Sequence, residues 1–135
     1  MNRGFTLMEL LVAAAIIGIH SSVATAMISS SQLKARDSER ITQVRQLQKA
    51  LSLYQIETNL FPIHTTAITI TGSDAFSLAL EERDVMPEVP ADPNHPNTVY
   101  TYQSNAAGND YTITFCLDTS TISGYSQGCG NTITP

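Results

Sequence analysis

The chain has 135 residues, of which 42% are hydrophobic, and a formal charge of −5. That leaves room for one domain and one extended helix. The charge is uneven: residues 1–33 are neutral, residues 34–49 carry net +3, and residues 50–135 carry net −8. So acidic a C-terminal part excludes extensive phosphate contacts, and nucleic-acid binding by that part alone is not expected.

The chain opens with Arg3 and Gly4, followed by a mostly apolar run from Phe5 to Ile28. One carboxylate, Glu9, interrupts it near its start. An ionisable group in an apolar helix is costly without a partner, so it marks a function by default. If the chain is cut between Gly4 and Phe5, Phe5 gains an α-ammonium. Glu9 then lies about one helical turn away on the same face.

The stretch Gly4-Phe5-Thr6-Leu7-Met8-Glu9-Leu10-Leu11-Val12, with Ala13 to Ile19 after it, resembles the processing segment of type IV pilins and type II secretion pseudopilins. The resemblance implies that a prepilin peptidase cuts after Gly4 and N-methylates Phe5. It also implies that Glu9 supports subunit docking, and that residues 1–4 are a leader. Two plainer readings compete. As a simple anchor, a helix from Phe5 to Ile28 would span about 36 Å against a hydrocarbon core of about 30 Å. As a signal peptide, the chain would be cut after Ala24-Thr25-Ala26. Neither needs a carboxylate at Glu9.

Beyond Ile19 the run weakens into His20, Ser21, Ser22 and Thr25 among Val23, Ala24 and Ala26. Such small and hydroxylated residues allow close helix packing. Gly18 lowers local helix stability by about 1 kcal/mol relative to alanine. It aligns with a family glycine where the helix often loosens, whereas the family's later proline is replaced by Ala26. Charge counting alone would place the C-terminal part inside the cell, because Lys34, Arg36 and Arg40 outnumber Arg3. The cleavage motif and the cysteines argue for the opposite side.

From Ser31 the pattern is amphipathic. Leu33, Ile41, Val44, Leu47, Leu51 and Tyr54 recur mostly at three- and four-residue steps. No proline or glycine falls between Ile19 and Phe61, so one helix is expected from about Phe5 to Thr58. Residues 5–30 would form a transmembrane and assembly half, and residues 31–58 its amphipathic continuation. Lys34, Arg36, Arg40, Arg45 and Lys49 form a basic collar that would attract acidic heads of neighbouring copies.

Residues 59–135 are expected to form a globular head. Ala67 to Thr71 alternates as a short strand. Asp74 or Ser73 can cap a helix through about Glu82. Four prolines between Met86 and Asn97 dictate an ordered loop. Val99 to Gln103 and Tyr111 to Leu117 read as a hairpin. Pro90-Ala91-Asp92-Pro93, Pro96 and Tyr100-Thr101-Tyr102 are similar to the head of the major pseudopilin of type II secretion. That head usually ends in an acidic calcium loop. Here Thr119 to Gly130 is neutral, so calcium is not expected. Cys116 and Cys129 suggest a disulfide in an oxidising compartment, or two reduced thiols in a reducing one. No cofactor, metal site or catalytic motif is expected, and the chain does not read as an enzyme.

The expected fold class is α+β and pilin-like. A long N-terminal helix, membrane-spanning in its first half, packs its second half on a small antiparallel sheet. The resemblance implies a structural subunit of a pilus-like or pseudopilus filament. Its partners would be further copies, other pilin-like subunits, prepilin peptidase and an inner-membrane assembly platform. Before assembly it would be a single-pass inner-membrane precursor in contact with lipid, with its head extracytoplasmic. The alternative is a secreted or anchored small domain with a binding or enzymatic role. Secretion, DNA uptake, adhesion and motility all stay open at this level.

Overall fold

The computed structural model describes residues 4–135, and for residues 22–26 the backbone alone. Residues 1–3, part of the expected leader 1–4, and the side chains of Ser22, Val23, Ala24, Thr25 and Ala26 therefore lie outside the described residues. The chain divides into two compact units, Met1–Leu33 and Lys34–Pro135. Each is described by itself.

Helix α1 runs from Leu7 to Thr58. Its start is set by Thr6 and Glu9. The Glu9 N–H donates to the Thr6 hydroxyl at 3.3 Å, and Glu9 Oε2 accepts from the Thr6 N–H at 2.9 Å. This is a reciprocal capping box that satisfies two otherwise orphaned donors. α1 continues through Gly18 without interruption. Its end is set by Asn59, whose φ of 64° leaves the helical region while its N–H still reaches the Gln55 carbonyl at 2.7 Å. Pro62 follows close behind.

In the first unit the reading of residues 5–30 as membrane-spanning is corrected. Among the described residues no helix is long and apolar enough to cross a membrane. The reason lies in the interruptions. Glu9 precedes, and His20 and Ser21 follow, an unbroken apolar stretch from Leu10 to Ile19. At 1.5 Å per residue that stretch covers about 15 Å, half of a hydrocarbon core of about 30 Å. The transmembrane half of the expected fold falls with it, and so does localisation as a single-pass membrane precursor.

In the second unit α1 buries Val44, Leu47, Ala50 and Leu51 at helical spacing. They join a four-stranded antiparallel sheet in the order β1-β2-β3-β4. The strands are β1 (Ile68–Ile70), β2 (Tyr100–Ser104), β3 (Tyr111–Leu117) and β4 (Gly128–Ile133). The β2–β3 hairpin pairs Thr101 with Thr114 and Ser104 with Tyr111. Alternation then buries Tyr100, Tyr102, Ile113 and Phe115. Helix α2 (Ala75–Glu81) adds Phe76 and Leu80 to the same core. Asp74 caps it by accepting from the N–H groups of Phe76 and Ser77, each at 3.0 Å.

The aromatic residues form a connected stack. Phe76 and Tyr102 lie 4.2 Å apart and near parallel, and Phe61 meets Tyr111 edge-on at 4.7 Å. Buried tyrosines need a hydrogen-bond acceptor for their hydroxyl. Tyr102 donates to the Pro62 carbonyl at 2.8 Å and Tyr100 to Gln43 at 2.7 Å. The Tyr111 hydroxyl is buried with no partner. Burial pushes its ionisation up to about 12, and that of Tyr102 higher still.

Strand β4 lies where the neutral tail had been expected. Its composition is poor for a strand, with Gly128 and Gly130 at positive φ. Pairing with β3 and a disulfide between the paired residues Cys116 and Cys129 hold it in place. The register shifts between Phe115 and Cys116, which is the irregularity that lets a glycine-rich edge follow a regular strand.

Candidate functional site

The sequence-derived site residues fall in both units. In the first, Gly4 is exposed, and a Cβ built on it would meet no atom within 4 Å. Phe5 is 82% exposed. Beside it Thr6, Met8, Glu9, Val12, Ala13 and Ile16 line an open, largely apolar groove. Glu9 is exposed, and both the N–H and the hydroxyl of Thr6 bond its Oε2, the hydroxyl at 2.8 Å. These two bonds, the backbone one first, hold its carboxyl below the usual glutamate range. The site therefore presents an ionised carboxylate, fixed in orientation, on an otherwise apolar helix start. His20 bonds the Ile16 carbonyl of its own helix at 2.9 Å and so serves α1 itself.

In the second unit the structure assembles a constellation that the collar reading had missed. Arg40 is fully buried. Its guanidinium bonds Asp92 through Nε at 3.0 Å and Nη2 at 3.2 Å, a bidentate pairing. Nη1 reaches Asp37 at 3.0 Å and Asp118 at 2.9 Å, while Nη2 also reaches Thr98 at 3.0 Å. Asp37, likewise fully buried, accepts from the N–H groups of Asp118 and Thr119 and from the Thr119 hydroxyl, all at 2.7 Å. Arg36 adds an outer contact to Asp118 at 3.3 Å.

A buried charge persists only when its partners replace water. Burial alone would push the Asp37 carboxyl up. The bonds from Thr119, Asp118 and Arg40 outweigh it and hold the carboxyl below the usual range. Burial likewise opposes the Arg40 charge, and Asp92 and then Asp118 more than restore it. The arrangement is a clamp that ties α1 to the proline-rich loop through Asp92 and to the end of β3 through Asp118. A signal for it existed. Arg40 stands on the same three- and four-residue steps as Val44, Leu47 and Leu51, so it lies on the buried stripe. The collar is corrected accordingly: Arg36 and Arg40 point into the clamp, leaving Lys34, Arg45 and Lys49 exposed.

Among the described residues no group of three or more His, Cys, Asp or Glu could hold a metal ion. Residues 1–25 match the family model for the prokaryotic N-terminal methylation motif. The chain is 24% identical over 112 residues to the type II secretion system core protein G of Escherichia coli strain K12, an overlap covering 83% of this chain and 71% of that protein. It is 30% identical over 61 residues to the type II secretion system core protein G of Pectobacterium carotovorum subsp. carotovorum, covering 45% of this chain and 39% of that protein. No solved structure matches the chain. With a helix-plus-antiparallel-sheet head, these likenesses to secretion-system core proteins are consistent with a structural protein. The chain carries a prepilin-type N-terminal methylation motif and is homologous to the pseudopilin core protein G of type II secretion.

Proposed function

We propose that the chain is a structural filament subunit, cut by a prepilin peptidase between Gly4 and Phe5, N-methylated at Phe5, and assembled with further copies and other pilin-like subunits on an assembly platform. The observation that carries this reading is the surface of the first unit. Phe5, Leu7, Met8, Leu10, Leu11, Val12, Ile16 and Ile17 are all about half exposed or more. So contiguous an apolar surface marks an interaction site rather than a solvated helix. Gly4 supports the processing step, because open space around it means the fold itself has no need of glycine there. A residue without a side chain lets an extended backbone enter a peptidase site closely.

Glu9 supplies the register. Packing apolar helices side by side leaves their axial offset nearly free. A lone carboxylate that needs a cation selects one offset, as a lone buried polar residue does in a coiled coil. The α-ammonium of Phe5 from a neighbouring copy is the fitting cation. The N–H and hydroxyl of Thr6 hold Oε2 and so aim the carboxylate for that contact.

The test is the intact mass of the mature N-terminus together with electron microscopy of the purified assembly. Methylated Phe5 and regular filaments are the expected result. A chain starting at Met27, or a processed chain that never forms filaments, would sink the reading.

A further inference from the structure

We infer that the outward face of α1 in the head docks on α2 and the acidic segment after it in a second copy of this chain. At 3.6 residues per turn, Lys34, Arg45, Lys49 and Ile56 fall within about 60° of one another, on a face turned away from the buried Leu47 and Leu51. Lys34, Arg45 and Lys49 are exposed, and the row ends in Leu53 and Ile56, which are 42% and 76% exposed. It is thus a basic stripe with an apolar end.

The same head carries the complementary surface. Glu81, Glu82, Asp84 and Glu88 crowd the end of α2 and the loop behind it. The one cation among them, Arg83, lies 5.8 Å over the Tyr54 ring of its own copy. Leu78, one turn before Glu82, is 48% exposed. Each surface therefore offers an exposed aliphatic side chain beside charges, and the charges are of opposite sign. Opposed potentials steer association and penalise other alignments. An anionic lipid or nucleic acid approaching the stripe would also meet the field of residues 50–135, net −8. A second copy brings the matching surface instead.

Lys49 and Leu53 share an open cleft with Val85, Met86 and Glu88 of their own copy, so the two surfaces adjoin. When the stripe of one copy meets the acidic segment of the next, repetition builds an open chain of heads. The inference rests on the filament reading and names the head-to-head surface within it.

Zero-length carbodiimide coupling tests it, because Lys34 and Lys49 are the only lysines of the chain. Equal amounts of light and nitrogen-15-labelled chain, each first cleaved after Gly4, are assembled together, coupled, digested and read by mass spectrometry. The expected products are mixed light–heavy peptides joining Lys34 or Lys49 to Glu82, Asp84 or Glu88. They should be lost when both copies carry Arg45→Glu, and regained when Arg45→Glu copies are mixed with Asp84→Arg copies. Raised salt should reduce them. An assembly whose mixed peptides join other surfaces overturns this docking face and leaves the filament reading standing. So does an assembly in which they persist through charge reversal, or form only after another protein is added. Chains that stay monomeric overturn both.

Discussion

Asp37 and Arg40, three residues apart on α1, bond each other at 3.0 Å and between them fasten two distant segments to the helix. Arg40 takes the proline-rich loop through Asp92, and Asp37 takes the end of β3 through the N–H groups of Asp118 and Thr119. The head is closed around α1 at this point by charge, as it is by packing at Leu47 and Leu51.

Arg40→Ala leaves buried carboxylates without their counter-charge. The expected loss is about 3–5 kcal/mol, the range for breaking a buried pair from one side. Arg40→Lys keeps the charge but not the bidentate fork on Asp92, and should fall between wild type and Arg40→Ala. Urea unfolding checks both, through a lowered midpoint at unchanged slope.

Stability should fall in acid through Asp37 and Asp74, both held below the ordinary aspartate value. A depressed carboxyl favours the fold when ionised. Its contribution is present above the unfolded value of about 3.9 and is lost as pH drops through the folded value. Thermal melts should therefore vary little with these groups near neutrality and decline below about pH 4. Asp37→Asn should lower the neutral plateau and flatten the acid limb. An acid limb unchanged in that variant would exclude Asp37 as its source.

At the N-terminus, Gly4→Leu should block cleavage and leave the leader attached. Glu9→Ala should still be cut at Gly4 but assemble poorly, with Glu9→Asp intermediate because it is one methylene shorter. N-terminal mass and filament yield must be read together, since methylation can fall as well. Wild-type yield and axial rise from Glu9→Ala would contradict the register role.

Two tyrosines make a paired test of the core. Tyr102→Phe removes a bond to the Pro62 carbonyl and should cost about 1 kcal/mol. Tyr111→Phe removes a buried hydroxyl with no partner, so it should be neutral or slightly stabilising. Comparison of the two unfolding midpoints decides; equal losses would show that Tyr111 has a partner after all.

Much of this was legible in the residues. The absence of proline before Pro62, with the stripe Val44, Leu47 and Leu51, marked α1. Asp74 or Ser73 marked the start of α2, and the structure uses Asp74; alternation marked β2 and β3. Three features were not legible, for different reasons. β4 is held by its neighbour and a disulfide, and Gly128 and Gly130 carry no strand preference of their own. Arg40 has the charge of a surface residue, and only its place on the buried stripe spoke otherwise. The membrane-spanning reading counted Phe5 to Ile28 as one run, whereas Glu9 and His20 bound a much shorter apolar stretch. At the N-terminal site the motif pointed to Gly4, Phe5 and Glu9. That Thr6 already occupies the Glu9 carboxylate follows only from the capping geometry.

The clamp also imposes an order in time. Asp37 takes its bonds from groups 81 and 82 residues further along, and Arg40 bonds Asp92 from 52 residues away. A ribosome delivers the helix long before it delivers Thr119. Until then Asp37 has Arg40 on its own helix but lacks the donors of Asp118 and Thr119, and the apolar stripe through Leu47 and Leu51 lacks the complete sheet. Such long-range closure is slow and leaves apolar surface open on the way. The head therefore completes itself only once Asp118 and Thr119 have emerged.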